Sequence, residues 1–423
     1  MPTQNTARPP RAVAARSVGA AALLSLLTVS VAQADPAPAY PQLLAQSQGA
    51  PRLAEADAGV AQATGLANQA AMRPNPTVSL EVENFAGTGP VKGLGGAETT
   101  ASVEQTFELG DKRVARVAAG RAGVEAAEAR RRQARADFAF DLAEAYAQAE
   151  ASERRVALST EALSLAEDDA RVAEALVNAG KEAELRFVQA RAAVAAARAD
   201  LDEARAARAT AFARLTALSG SSVPLTGISI SLLDHASRAE DFRPPDPLRS
   251  PAYLAALADR EATARRVKVE RTRATPDLTV SVGARRLAGD DATAMVAGAS
   301  VPFPLFDRNR GNIAAAEGEL AGADARLDAA RRDAEAEGRA ASVRADAAQS
   351  RVRAADEAVA AAEETYRLTR IGYEGGKISL VEVLNARRAL SEAHTQSINA
   401  KLERVSAEAS VARLRGEAPF GDL

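Results

Sequence analysis

Two proline-free runs, residues 91–223 and 305–418, dominate this 423-residue chain, and both are rich in Ala, Arg and Glu. Proline removes a backbone donor and clashes with the preceding turn, so runs of this length without it are helix territory. Each run follows a proline-marked segment in which apolar and polar residues alternate. Very long helices joined to a few strands are what such a chain can form. Composition agrees: 47% of residues are apolar, but only 4% are aromatic and there is no Trp or Cys. Ala carries most of the apolar share. It buries too little surface for a thick core, yet it is the best helix former.

The two halves repeat one another. Pro76-Thr77-Val78-Ser79-Leu80 matches Pro276-Asp277-Leu278-Thr279-Val280, and Phe107-Glu108-Leu109-Gly110-Asp111 matches Phe303-Pro304-Leu305-Phe306-Asp307. Asn178-Ala179-Gly180-Lys181 matches Glu374-Gly375-Gly376-Lys377. Three anchors in one order at nearly constant offset define a duplicated unit of helix, strand, strand, long helix, turn and helix. The first unit spans residues 35–220, with strands at 76–85 and 99–109, a long helix at 111–178 and a helix at 182–218. The second spans 251–415, with strands at 276–286 and 293–305, a long helix at 307–372 and a helix at 378–415. Residues 221–250 form a linker and 416–423 a tail.

Period-two alternation defines the strands. Val78, Leu80 and Val82 share one face, and Val103, Phe107 and Leu109, then Val280 and Val282, then Met295 and Val301, repeat the pattern. Strands of about ten residues are long enough to cross a bilayer when tilted. The helices carry small-residue seams at three-four spacing: Leu185, Val188, Ala192, Ala195 and Ala199, and again Ile398, Leu402, Val405, Ala409 and Ala412. Asp111 and Asp307 fit N-caps, and Gly180 and Gly376 fit helix ends.

Residues 1–34 have the form of a cleaved secretory signal. Arg8, Arg11 and Arg16 precede the apolar stretch Val18 to Val31, and Ala32-Gln33-Ala34 is an A-x-A site. Cleavage would move the net charge from −3 to −6. A lipid anchor at the new N-terminus would need a Cys, which the chain lacks. Nucleic acid is excluded as a partner by the absence of a basic excess. No G-x-S-x-G, H-E-x-x-H or phosphate-cradling motif is present, which argues against an enzyme. With only His235 and His394 and no Cys, no metal centre and no cofactor are expected; Glu167-Asp168-Asp169 and Glu363-Glu364 read as solvated helix faces.

No later segment is apolar enough for a membrane helix, so a membrane crossing must use strands, and a barrel in lipid leaves no open edge. Four strands are too few to close a barrel, since the smallest have about eight. Three copies would supply twelve, with the long helices continuing as a tube. The fold class is therefore mainly α with a small β part: a long coiled-coil helical barrel joined to an outer-membrane β-barrel that trimerisation completes.

Here the residues resemble a known family, the TolC-type outer-membrane efflux factors. The resemblance rests on Pro74-Asn75-Pro76, on Phe107 to Arg113, and on Gly376-Lys377-Ile378-Ser379-Leu380-Val381-Glu382-Val383-Leu384-Asn385-Ala386. The string Val301-Pro302-Phe303-Pro304-Leu305-Phe306-Asp307-Arg308-Asn309 is similar to the cobalt-zinc-cadmium efflux branch. The resemblance implies a homotrimer in outer-membrane lipid that extends into the periplasm and docks on a periplasmic adaptor and a proton-driven inner-membrane pump of the resistance-nodulation-division class. It implies a passive conduit for divalent heavy-metal cations. Drug or organic-solute efflux, or type I secretion, would use the same fold, and a secreted coiled-coil structural protein is the alternative of a different class. By the same resemblance, Ala179, Gly180, Lys181, Gly375, Gly376 and Lys377 form adaptor-contacting tips, and Glu382 and Asn385 sit at a periplasmic gate or selectivity ring. In the first unit Arg186 and Gln189 hold the positions of Glu382 and Asn385.

Overall fold

A computed structural model describes residues 36–235, 245–375 and 377–421. The expected signal segment therefore lies outside the described residues, as does Gly376. Seven α-helices and four β-strands make up the described chain. After a short α1 (Tyr40–Gln46), the first unit runs α2 (Pro51–Ala70), β1 (Thr77–Glu83), β2 (Glu98–Phe107), α3 (Lys112–Asn178) and α4 (Glu184–Ser219). The second runs α5 (Pro251–Arg273), β3 (Leu278–Leu287), β4 (Ala292–Ser300), α6 (Arg310–Glu374) and α7 (Leu380–Arg415). The 67 residues of α3 make a rod about 100 Å long.

Three element ends differ from the expected ones. β4 stops at Ser300, not 305, because Pro302 and Pro304 cannot donate to a ladder. The second long helix begins at Arg310 rather than 307, and Asn309, not Asp307, is its N-cap residue. Asp307 instead accepts the Asn309 N–H at 2.8 Å, while the Asn309 amide donates to the Glu270 carbonyl at 2.7 Å. Thus the Leu-Phe-Asp-Arg-Asn string ties the start of α6 to the end of α5. Asp111 does occupy the N-cap position of α3, but in a left-handed conformation (φ 60°) and without a side-chain cap. β1 is shorter than a ten-residue strand because Asn84, at φ 57°, turns the chain out of it.

The four strands form one antiparallel sheet in the order β1-β2-β3-β4, so β1 and β4 are open edges. Helix packing is carried by small side chains. Ala122 and Ala126 of α3 meet Ala262 of α5, and Ala341, Ala345 and Ala348 of α6 meet Ala407, Val411 and Leu414 of α7. Of the two expected seams, Ile398, Val405 and Ala409 of α7 are buried. The α4 seam is not: Leu185, Val188, Ala192, Ala195 and Ala199 all point outward, and α4 packs through Val194, Leu201, Phe212 and Leu215 instead. Three-four spacing marks a helix face without saying which neighbour covers it.

Large side chains gather at one level, where α1 and the segment after α4 wrap the bundle. Tyr40, Leu43, Phe138, Leu142, Tyr146, Leu215, Leu232, Leu233 and Val405 form this core. Tyr40 donates to the Ala139 carbonyl at 2.8 Å, and Tyr146 lies 2.7 Å from the Ile230 carbonyl. Burial pushes both phenols above their ordinary range.

Candidate channel surfaces

The strand registers sort every side chain of the sheet. One face carries the cross-strand rows Val78-Val103-Val282-Ala297 and Leu80-Ala101-Ala284-Met295. Its large residues are strongly exposed, Val78 at 78% and Met295 at 77%. Below it, Phe303 and Phe306 are 85% and 95% exposed at the helical end of the strands. An apolar band with aromatic side chains at its border is the outer surface of a membrane barrel.

The opposite face is polar and more enclosed. Its rows are Thr77-Glu104-Ser281-Gly298, Ser79-Ser102-Gly283-Val296, Glu81-Thr100-Arg285-Ala294 and Glu83-Glu98-Leu287-Ala292. The hydroxyls of Ser79 and Ser102 are 2.7 Å apart, and those of Thr106 and Thr279 are 3.1 Å apart. Arg285 reaches across two strands, to Glu98 at 3.0 Å, Glu83 at 3.2 Å and the Thr100 hydroxyl at 2.9 Å. Gly283 is required in this face, since a Cβ there would stand 2.5 Å from the Ala101 carbonyl oxygen.

At the far end of the helices lie the two expected tips. The first is a Schellman turn: Gly180 (φ 67°) donates to the Val177 carbonyl at 2.9 Å, and Lys181 to the Leu176 carbonyl at 2.9 Å. In the second, Lys377 donates to the Gly372 carbonyl at 2.8 Å. Ala179, Gly180, Lys181, Gly375 and Lys377 are all exposed. Glu382 and Asn385 lie one turn apart on α7 and are also exposed. Glu382 has a local role: its carboxylate accepts the Ser379 N–H at 3.2 Å and the Ser379 hydroxyl accepts the Glu382 N–H at 3.4 Å, a capping box. Arg387, five residues beyond Glu382, pairs with Asp169 of α3 at 2.9 Å, joining the two units near the tips.

Sequence reasoning missed a charged lock at the level of the large core. Glu150 is 4% exposed, and its Oε2 accepts the N–H groups of Leu232 at 2.8 Å and Leu233 at 3.0 Å. Its Oε1 accepts the Ser231 hydroxyl and Arg154, each at 2.6 Å. Arg154 also donates to Asp234 at 3.1 Å, and Lys401 of α7 lies 3.2 Å from the same carboxylate. Hydrogen bonding from Arg154 holds Asp234 well below the usual carboxylate range. The linker is thereby fastened to α3 and α7. The one available signal was a lone acid among alanines in the 145–151 stretch.

The two histidines are apart, His235 edge-on to Phe420 and His394 3.8 Å from Glu363. No group of three or more metal-ligating side chains occurs among the described residues.

An open-edged sheet with one lipid-type face and one polar face, carried on a bundle with rods about 100 Å long, defines a subunit of an outer-membrane channel. The chain belongs to the outer membrane efflux protein family, which it matches over residues 40–221 and 248–417. It is 41% identical over 316 residues to the nickel-cobalt-cadmium resistance protein NccC of Alcaligenes xylosoxydans xylosoxydans, covering 74% of this chain and 71% of that protein. It is 42% identical over 302 residues to the nickel and cobalt resistance protein CnrC of Cupriavidus metallidurans, covering 71% of each. The outer membrane channel CmeC of Campylobacter jejuni has the same fold, with a TM-score of 0.75 at 17% identity over 91% of this chain and 87% of that one.

Proposed function

We propose that this protein is the outer-membrane exit duct of a heavy-metal efflux system and passes divalent cations such as nickel, cobalt or cadmium out of the cell. It works as a homotrimer with a periplasmic adaptor and a proton-driven inner-membrane pump. The observation that carries the reading is the four-stranded sheet with two unpaired edges and opposite faces of opposite polarity. In lipid an unpaired edge costs several kcal/mol for each unsatisfied group, so β4 of one copy must pair with β1 of the next. The uncovered small-residue face of α4 supports assembly between copies in the helical region as well.

Similarity to NccC and CnrC supports metal cargo, and the duct itself supplies no energy. The exposed tips at Gly180-Lys181 and around Gly375 and Lys377 are the adaptor-contacting surface, and Glu382 with Asn385 lines the mouth beside them. Residues 1–34 direct export, with cleavage before Asp35.

The test is a deletion strain grown on a panel of metal salts and antibiotics. Metal hypersensitivity that the intact gene restores is the expected result; antibiotic sensitivity with unchanged metal tolerance overturns the cargo assignment. Mass measurement of the detergent-extracted protein should give three copies, and N-terminal sequencing should begin at Asp35.

A further inference from the structure

The polar face of the sheet has an unusual charge layout. Four carboxylates lie on it, Glu81, Glu83, Glu98 and Glu104, and Arg285 is the one basic residue on that face among the described residues. Glu83 and Glu98 are direct cross-strand partners, a like-charge pairing that destabilises an antiparallel ladder unless something sits between the two carboxylates. Arg285 fills that place. Its guanidinium lies 3.2 Å from Glu83 and 3.0 Å from Glu98, and its third contact, Nε to the Thr100 hydroxyl at 2.9 Å, fixes its direction. The group is next to the loop end of the strands, the end away from the helices.

The geometry points to Arg285 as a selectivity-determining residue of the outer exit: it occupies the position a divalent cation would otherwise take between Glu83 and Glu98. This rests on the trimeric channel reading above, in which the polar face lines the lumen. Conduction needs a cation to be attracted into a pore and also released from it. Two facing carboxylates without a counter-charge would satisfy the first condition and fail the second, because hard and borderline cations bind paired carboxylates. Arg285 removes that trap while Glu81 and Glu104, which have no cationic partner among the described residues, keep the exit acidic. A guanidinium suits this role because it stays charged at every pH the channel meets and spans two carboxylates at once.

The experiment uses the full-length protein in planar bilayers, with reversal potentials read in a potassium chloride gradient and zinc chloride added on the loop side. Arg285→Gln should raise the potassium-to-chloride permeability ratio about threefold, taking one charge from each of three copies at roughly 12 Å from the axis, the radius of a tilted twelve-stranded barrel, with screening at about 0.1 M salt. It should also introduce a zinc block that the wild type lacks, and Arg285→Lys should restore the wild-type ratio. Glu83→Gln combined with Glu98→Gln should lower the ratio and leave zinc without a block, which gives a reading even if Arg285→Gln assembles poorly. An unchanged ratio and no zinc block in Arg285→Gln overturn the inference, as does an Arg285→Lys channel that behaves like Arg285→Gln. A wild-type trimer that conducts no ions at all overturns the channel reading itself, and this inference with it.

Discussion

Removing the Glu150 carboxylate tests how the linker is held to the bundle. Its Oε2 is the acceptor for two backbone donors, Leu232 N–H at 2.8 Å and Leu233 N–H at 3.0 Å, and both residues are fully buried. Glu150→Ala leaves these donors without a partner, and an orphaned buried donor costs about 1–3 kcal/mol, so the pair sets a loss of about 2–6 kcal/mol. Arg154 keeps Asp234, so no charge is stranded by the change. Glu150→Gln should cost less, about 1–3 kcal/mol, because its carbonyl can still face both backbone donors, while the amide NH2 in place of Oε1 gives up the bonds accepted from Arg154 and the Ser231 hydroxyl. The loss falls on local opening of residues 225–235, so amide hydrogen exchange on the intact protein is the assay. Leu232 and Leu233 should exchange at least about thirtyfold faster in Glu150→Ala, the factor that corresponds to about 2 kcal/mol. Unchanged exchange refutes the reasoning. Equal effects of Ala and Gln refute the part of it that assigns the cost to the two backbone donors.

Three further outcomes follow from the same contacts. Gly283→Val puts a branched side chain where a Cβ already meets the Ala101 carbonyl oxygen at 2.5 Å, so the sheet cannot keep its β2-β3 register; the yield of folded protein extracted from membranes should fall sharply against wild type. Glu382→Ala breaks the capping box at the start of α7 by removing the acceptor of the Ser379 N–H, costing about 0.5–1.5 kcal/mol of local stability by exchange at residues 380–384. If Glu382 lines the mouth, the same variant should raise single-channel conductance or alter cation preference; an unchanged channel refutes the gate role. Asp234 has a depressed folded pKa, so the stability it adds is complete above the unfolded value of about 4 and is lost as pH falls below that toward the folded value. Melting temperature should therefore drop in acid more for wild type than for Asp234→Asn, and parallel curves for the two would refute the coupling.

Much of this architecture is legible in the sequence because its signals are local. Freedom from proline over residues 91–223 and 305–418 marks α3 with α4 and α6 with α7, and alternation around Val78, Val103, Val282 and Met295 marks the four strands. The duplicated anchors predict the matching element order, and in the structure α4 and α7 are 36 residues each. Those properties depend on residues within a few positions of one another, where backbone sterics and side-chain period decide the outcome.

The tertiary structure decided everything that depends on partners far along the chain. Alternation along residues 278–287 sets Arg285 on the face opposite Val280 and Val282, but only the register puts it between Glu83 and Glu98, about 200 residues away. Small-residue spacing identified two helix seams alike, whereas packing buried the α7 seam and left the α4 seam outside. Glu150 reads as one acid in an alanine-rich helix until the Ser231 to Asp234 turn folds onto it and supplies three hydrogen-bond donors beside the Arg154 guanidinium of its own helix. Local pattern determined which elements this chain makes and which way their faces point; burial and charge pairing, being sums over contacts between distant segments, exist only once those elements are docked.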